Sequence, residues 1–184
     1  MKVVRIFAVV DECLYSVLYD DAQEEQHEFV RLFDLWRDAA YLDSFFEEHL
    51  EDLQSGYWGN ISVEEAILRT RKEANKLEEE LVRLAEMGKE DRYETLSSLF
   101  KPLHNSATKV EPLEESKAKG SWLRVYAIRI EINLFVVTGG AIKLTRSMNE
   151  RAHLLRELKK LDIVRSFLND EENFDDHPIF ELFL

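Results

Sequence analysis

The chain has 184 residues, 45% hydrophobic and 33% charged, with a net charge of −13. That composition excludes a low-complexity or disordered chain and suits one packed domain, long enough to bury roughly two thirds of its unfolded surface. The lone cysteine, Cys13, excludes an intrachain disulfide, and no window approaches the ~20 apolar residues of a membrane span, so a cytoplasmic chain with no membrane partner is expected.

Lys2 to Val10 and Leu14 to Tyr19 are β-branched and apolar runs on either side of Asp11-Glu12. They predict two strands, paired as a hairpin, rather than a leader segment. Cys13 falls inside this run and reads as a buried filler. From Gln23 the period changes to that of a helix. Phe29, Leu32, Phe33 and Trp36 share one helical face, and Leu42, Phe45, Phe46, Leu50 and Leu53 continue it, with the break near Asp38 left open. Ser55-Gly56 and Gly59-Asn60 end that segment. Ser62 and Glu65 have capping-box spacing before a long helix, and Gly88 is placed just past its end. Asp91 to Phe100 predicts a shorter helix, and Leu103 to Gly120 a long loop.

Ser121 to Thr145 predicts a three-stranded antiparallel meander. Its turns are Ile132-Asn133 and Gly139-Gly140, the latter because glycine accepts a positive φ. Ser147 and Glu150 repeat the capping-box spacing ahead of a helix through Leu168. The tail, 169–184, is acidic and then apolar, and it is expected to dock. The expected fold is α+β, an antiparallel sheet packed against N-terminal helices. It forms one domain: strands and acidic helices over 1–98, a basic meander and helix over 99–168, and the tail.

Charge is uneven along the chain. Lys117 to Arg165 holds eleven basic and four acidic residues, a net +7, whereas the remainder is −20. Such asymmetry points either to an anionic partner for the basic part or to attraction between the two parts. With two-residue turns, Ile128, Ile130, Phe135, Val137, Ile142 and Leu144 fall on one sheet face, the core. Arg129 and Lys143 then flank Val136 on the other, with Arg146 just beyond. That second face reads either as a solvated surface or as a phosphate-binding one, with Arg129, Lys143 and Arg146 stabilising phosphoryl transfer. Tyr126 and His153 are the candidate proton-transfer groups. Lys117, Lys119, Arg124 and Arg151 are candidate nucleic-acid contacts. Nucleotide-binding glycine loops, nucleophile elbows and zinc signatures are absent, the five histidines lack ligand spacing, and neither metal nor cofactor is expected.

Leu99-Phe100-Lys101-Pro102-Leu103, the loop with Lys117 and Lys119, Leu123 to Arg129, Asn133 to Val137, Gly140 to Lys143 and the closing basic helix together resemble the RelE/ParE/HigB toxin superfamily. The resemblance best covers Leu99 to Leu168. It implies a RelE-like core with a helical elaboration, and a toxin of a two-gene toxin–antitoxin pair. RelE-like and HigB-like members cleave mRNA at the ribosome and ParE-like members act on DNA gyrase. An endoribonuclease acting on RNA or the ribosome is therefore expected, with a small antitoxin-like partner of helix-turn-helix type. Arg129, Lys143 and Arg146 are the positions carried over. The other readings are a non-catalytic interaction module of the same fold and a structural homodimer through the long helices.

Overall fold

The computed structural model describes residues 1–22, 26–90, 95–102, 120–145, 151–172 and 179–182. β1 (Val3–Val10) and β2 (Leu14–Tyr19) form the expected antiparallel hairpin, with Glu12 at a φ of +69° in the turn. Cys13 is buried there, and burial pushes its thiol pKa up.

Helix α1 (Glu28–Arg37) docks on the hairpin where the Phe29 N–H donates to Ser16 Oγ at 2.8 Å. Asp38 ends α1 and starts α2 (Ala39–Glu48), its carboxylate accepting from the backbone N–H groups of Ala40 and Tyr41. That settles the open break: one Asx side chain caps the second helix and leaves the chain extended between the two. A single turn, α3 (Leu50–Leu53), follows. α4 (Val63–Lys89) begins with the expected capping box, Glu65 N donating to Ser62 Oγ and Ser62 N to Glu65 Oε2; the reciprocal bonds contribute about 1 kcal/mol. Gly88 lies inside α4, not beyond it, and a Cβ there would come within 3.6 Å of Cys13 Sγ.

α5 (Leu96–Leu99) is the described part of the predicted 91–100 helix, and it leads into β3 (Phe100–Pro102). β4 (Leu123–Glu131) and β5 (Leu134–Ile142) pair antiparallel across Ile132-Asn133, with Asn133 at a φ of +71°. α6 (Ala152–Glu172) follows, and the tail returns as β6 (Ile179–Leu182) between β4 and β3, so it docks as expected.

The fold is α+β. Among the described residues six strands run β1-β2-β5-β4-β6-β3, and β2 pairs with β5 in parallel, which makes the sheet mixed. Among the described residues no helix is long and apolar enough to cross a membrane.

The Gly139-Gly140 turn and the third meander strand are corrected. β5 runs straight through both glycines, and neither takes a positive φ. The glycines are needed for space. A Cβ on Gly139 would collide with Glu157 Oε2, and one on Gly140 would sit 2.5 Å from the Arg124 carbonyl oxygen and 2.6 Å from Leu32 Cδ2. The register is corrected too. A bulge at Ile130 sets Arg129 opposite Phe135 rather than Val136, and Ile128 opposite Val136.

Both sheet faces are therefore apolar. Phe135, Val137, Val125 and Ile142 pack under α1, α2 and α4 with Phe33, Trp36, Phe46 and Leu81. Tyr126, Ile128, Val136 and Ala141 pack under α6 with Leu154, Leu161 and Val164. Each such buried Leu, Ile or Phe contributes about 1.5–3 kcal/mol. The face expected to stay open with its cations is covered by a helix.

Candidate functional site

β2 and β5 pair only over Leu14–Ser16 and Phe135–Val137. Past that point the two parallel strands part, and Tyr19 Oη bridges the opening by donating to the Thr138 carbonyl at 2.8 Å. The gap is a cleft of about 690 Å³ at the carboxyl ends of both strands, a place where strand ends leave room for ligands in sheets with parallel pairs. Its floor is Gly140, Ala141 and Ile142 of β5. α1 supplies Glu28, Arg31 and Leu32; α2 supplies Tyr41 and Phe45; α6 supplies His153, Arg156, Glu157 and Lys160.

The inner end holds a buried charge network. Arg31 donates to both oxygens of Glu28 at 2.7 and 2.8 Å, and Lys160 Nζ lies 2.8 Å from Glu28 Oε2 and 2.8 Å from Glu157 Oε1. Glu28, Glu157 and Lys160 are all buried. The two carboxyls differ because their partners differ. Burial pushes Glu28 up, but the Arg31 hydrogen bonds and the Lys160 charge outweigh it and hold its pKa below the usual value. For Glu157 burial comes first and outweighs the Lys160 hydrogen bond and charge, and the Glu28 charge adds to it, so its pKa is raised. Among the described residues Glu157 Oε2 has no hydrogen-bond partner. Burial first, and the neighbouring Glu28 and Glu157 charges next, push the Tyr19 phenol far above its ordinary pKa, so Tyr19 stays a donor.

At the outer end His153 Nε2 lies 3.0 Å from the Ile142 carbonyl. A carbonyl only accepts, so Nε2 carries the proton and Nδ1 is left as the acceptor. Burial, ahead of the other influences, lowers the His153 pKa and favours the neutral ring. The ring stands edge-on to Phe45 at 5.3 Å and to His49 at 4.9 Å.

Four of the sequence-derived residues converge near this end of the sheet. Arg124 pairs with Ala141 across β4 and β5, and its Nη1 donates to the Ser121 and Leu123 carbonyls at 2.6 and 2.7 Å. Lys143 follows β5 and its N–H donates to the Trp122 carbonyl at 2.7 Å. His153 is fixed to Ile142. Arg151, two residues earlier, forms a two-pronged ion pair with Asp52 at 2.5 and 2.7 Å.

Arg129 does not join them. It lies at the far end of the hairpin, where its Nε donates to the Glu131 carbonyl at 3.2 Å. Eight strand positions separate its partner Phe135 from Lys143, about 26 Å at ~3.3 Å per residue. The expected row of Arg129, Val136 and Lys143 is thus corrected, because the bulge shifts the register and the missing second turn leaves β5 extended. Tyr126 is fully buried in the core beneath α6, which makes it a packing residue. Lys117, Lys119 and Arg146 lie outside the described residues, as does the predicted Ser147–Glu150 cap.

The sequence reading missed the network of Tyr19, Glu28, Arg31, Glu157 and Lys160. One signal was present. Leu154, Glu157, Leu161, Val164 and Leu168 recur at helical spacing, so Glu157 interrupts an otherwise apolar stripe. An acid on a buried stripe needs a basic partner, and Lys160 is one turn on.

No protein-family model matches the chain, and neither a curated protein nor a solved structure matches it.

Proposed function

We propose that the chain is a toxin-like protein of a two-gene toxin–antitoxin pair, acting on RNA as an endonuclease and held in check by a small antitoxin-like partner. The observation that carries this reading is the gathering of Arg124, Lys143, Arg151 and His153 near the carboxyl end of β5. Basic residues extend the group in sequence, since Lys119 adjoins Gly120 and Arg146 adjoins Thr145.

Cleavage of RNA by its own 2′-hydroxyl needs a base for the hydroxyl proton, cations for the charge that grows on the phosphate, and a proton for the departing 5′-oxygen, which solvent water supplies. His153 Nδ1 is a neutral ring's acceptor and serves as the base. Lys143 and Arg124 serve the phosphate. The Asp52 pair holds Arg151, and with it the start of α6, in position, so Arg151 is a positioning residue. Arg129 and Tyr126 drop out of the mechanism.

The test is cleavage of mRNA by purified protein in the presence of ribosomes. His153→Asn is expected to slow cleavage about 10²-fold or more, and Lys143→Ala about 10²-fold, while Arg129→Ala leaves it unchanged. Because the His153 pKa lies below 6.5, activity should hold through neutral pH and fall only on the acid side of that value. Equal loss in Arg129→Ala and Lys143→Ala would contradict the assignment. A stable partner complex with no cleavage by the free protein would favour the interaction-module reading instead.

A further inference from the structure

His153 has a second imidazole beside it. His49 ends α2 with its Nδ1 3.0 Å from the Phe45 carbonyl. A carbonyl only accepts, so Nδ1 carries the proton and Nε2 is left as an acceptor. Phe45 also holds the ring by its face, stacked at 4.3 Å and 11°. His153 meets that stack edge-on, at 4.9 Å and 82° to His49 and at 5.3 Å and 83° to Phe45. Each ring thus commits one nitrogen to a backbone carbonyl of a different element, Phe45 of α2 or Ile142 of β5, and keeps the other nitrogen as an acceptor. A second tie fixes the same joint. Asp52 of α3, three residues past His49, grips Arg151, two residues ahead of His153. The start of α6 is therefore clamped to the α2–α3 junction at both places.

Two rings this close accept one proton readily and the second with difficulty, because two imidazolium charges would then stand 4.9 Å apart. The other charges around His153 do not cancel that repulsion. Glu48 at the end of α2 favours its charged form, and Arg151 opposes it. Arg151 is paired with Asp52. Arg31 of α1, and Arg156 and Glu157 of α6, line the same cleft, and Lys143 follows Ile142. Burial comes first among the influences against a charged His153 ring, and the His49 charge comes next. His49 therefore takes the first proton.

We infer that His49 is a positioning residue for His153, the two rings forming a pair that takes up one proton and leaves His153 neutral; this rests on the RNA reading above and names what holds and protects its base. Below neutral pH the proton rests on His49, outside the reaction, and His153 Nδ1 stays open to the 2′-hydroxyl.

The experiment is nuclear magnetic resonance of the histidine rings in the full chain, titrated from pH 8 to pH 4.5, with the His153 signals assigned by their loss in His153→Asn. In the wild-type chain those signals are expected to move in two steps, a smaller one as His49 takes its proton and a larger one at lower pH. His49→Phe keeps the aromatic stack and drops the charge. It should leave a single His153 step, moved up by about half a pH unit or more. Should that variant fail to fold, His49→Gln, which keeps a donor for the Phe45 carbonyl, should show the same shift. The acid limb of the cleavage profile should move with it, which a packing role alone would not produce. A single His153 step in the wild-type chain, or an unmoved midpoint in either variant, overturns the inference. Coupled titration in a chain that cleaves no mRNA leaves the pair standing and refutes the RNA reading. Cleavage by a chain whose two rings titrate independently does the reverse.

Discussion

Glu28→Ala is expected to destabilise the protein by about 3–5 kcal/mol, because it strands the buried Lys160 and the half-buried Arg31 at once. Glu28 is the shared acceptor of the Arg31 fork and of Lys160 Nζ. Without it Arg31 loses both hydrogen bonds, and Lys160 keeps only Glu157, whose carboxyl burial already drives toward neutrality. A domain of this size is stable by only about 5–15 kcal/mol in total, so the loss shows plainly in a urea midpoint. The pH dependence has a sign for each acid. Glu28 has a folded pKa below its ordinary 4.5, so its contribution is present above that value and is lost as pH falls through the folded pKa. Glu157 has a folded pKa above 4.5, so it lowers stability progressively as pH rises from there toward the folded value. Glu157→Gln should therefore gain on the wild type as pH rises above about 4.5. Parallel urea midpoints for the two chains between pH 4 and 8 would show this assignment to be wrong.

Gly140→Ala is the second change expected to act strongly, at the upper end of the about 1–3 kcal/mol typical of overpacking. The new methyl would sit 2.5 Å from the Arg124 carbonyl oxygen. That oxygen belongs to the backbone of the paired strand and cannot swing aside as a side-chain tip does. Leu32 Cδ2 at 2.6 Å blocks the remaining direction. The effect differs in origin from that of a turn glycine, where the penalty is a positive φ. A destabilisation relieved by Leu32→Ala in the double variant points to packing, whereas independence from residue 32 would return the glycine to a conformational role.

Those glycines also show why part of the fold was legible and part was not. Period alone located β1, β2, α1 and α4, since each carries an apolar stripe at one spacing. The Ser62–Glu65 box and the Ile132-Asn133 turn were legible because each depends on chemistry within four residues. Gly139-Gly140 misled because a glycine pair has two physical uses, positive φ and absent side chain, and the second is visible only when α1 and α6 are in place. The wrong turn then propagated. It folded Ala141 to Thr145 back as a strand and, with the bulge at Ile130 unforeseen, put Arg129 and Lys143 in one row. It also left one sheet face open that α6 covers with Leu154, Leu161 and Val164.

The candidate site was legible only as an inventory. Arg124 and Arg151 stand out as candidate nucleic-acid contacts, Lys143 as a cation of one sheet face and His153 as a proton-transfer group, and their meeting depends on where β5 ends and α6 begins. The Glu28–Lys160 contact spans 132 positions of the chain. No local pattern carries that distance, although Glu157 on an apolar stripe was a sign that some partner had to exist.

Inducible expression in a bacterial host tests the functional reading most directly. Wild-type chain is expected to halt growth within a few generations, co-expression of its small antitoxin-like partner to restore it, and Lys143→Ala or His153→Asn, at equal protein levels, to grow normally. Unimpaired growth with the wild-type chain at those same levels would contradict it.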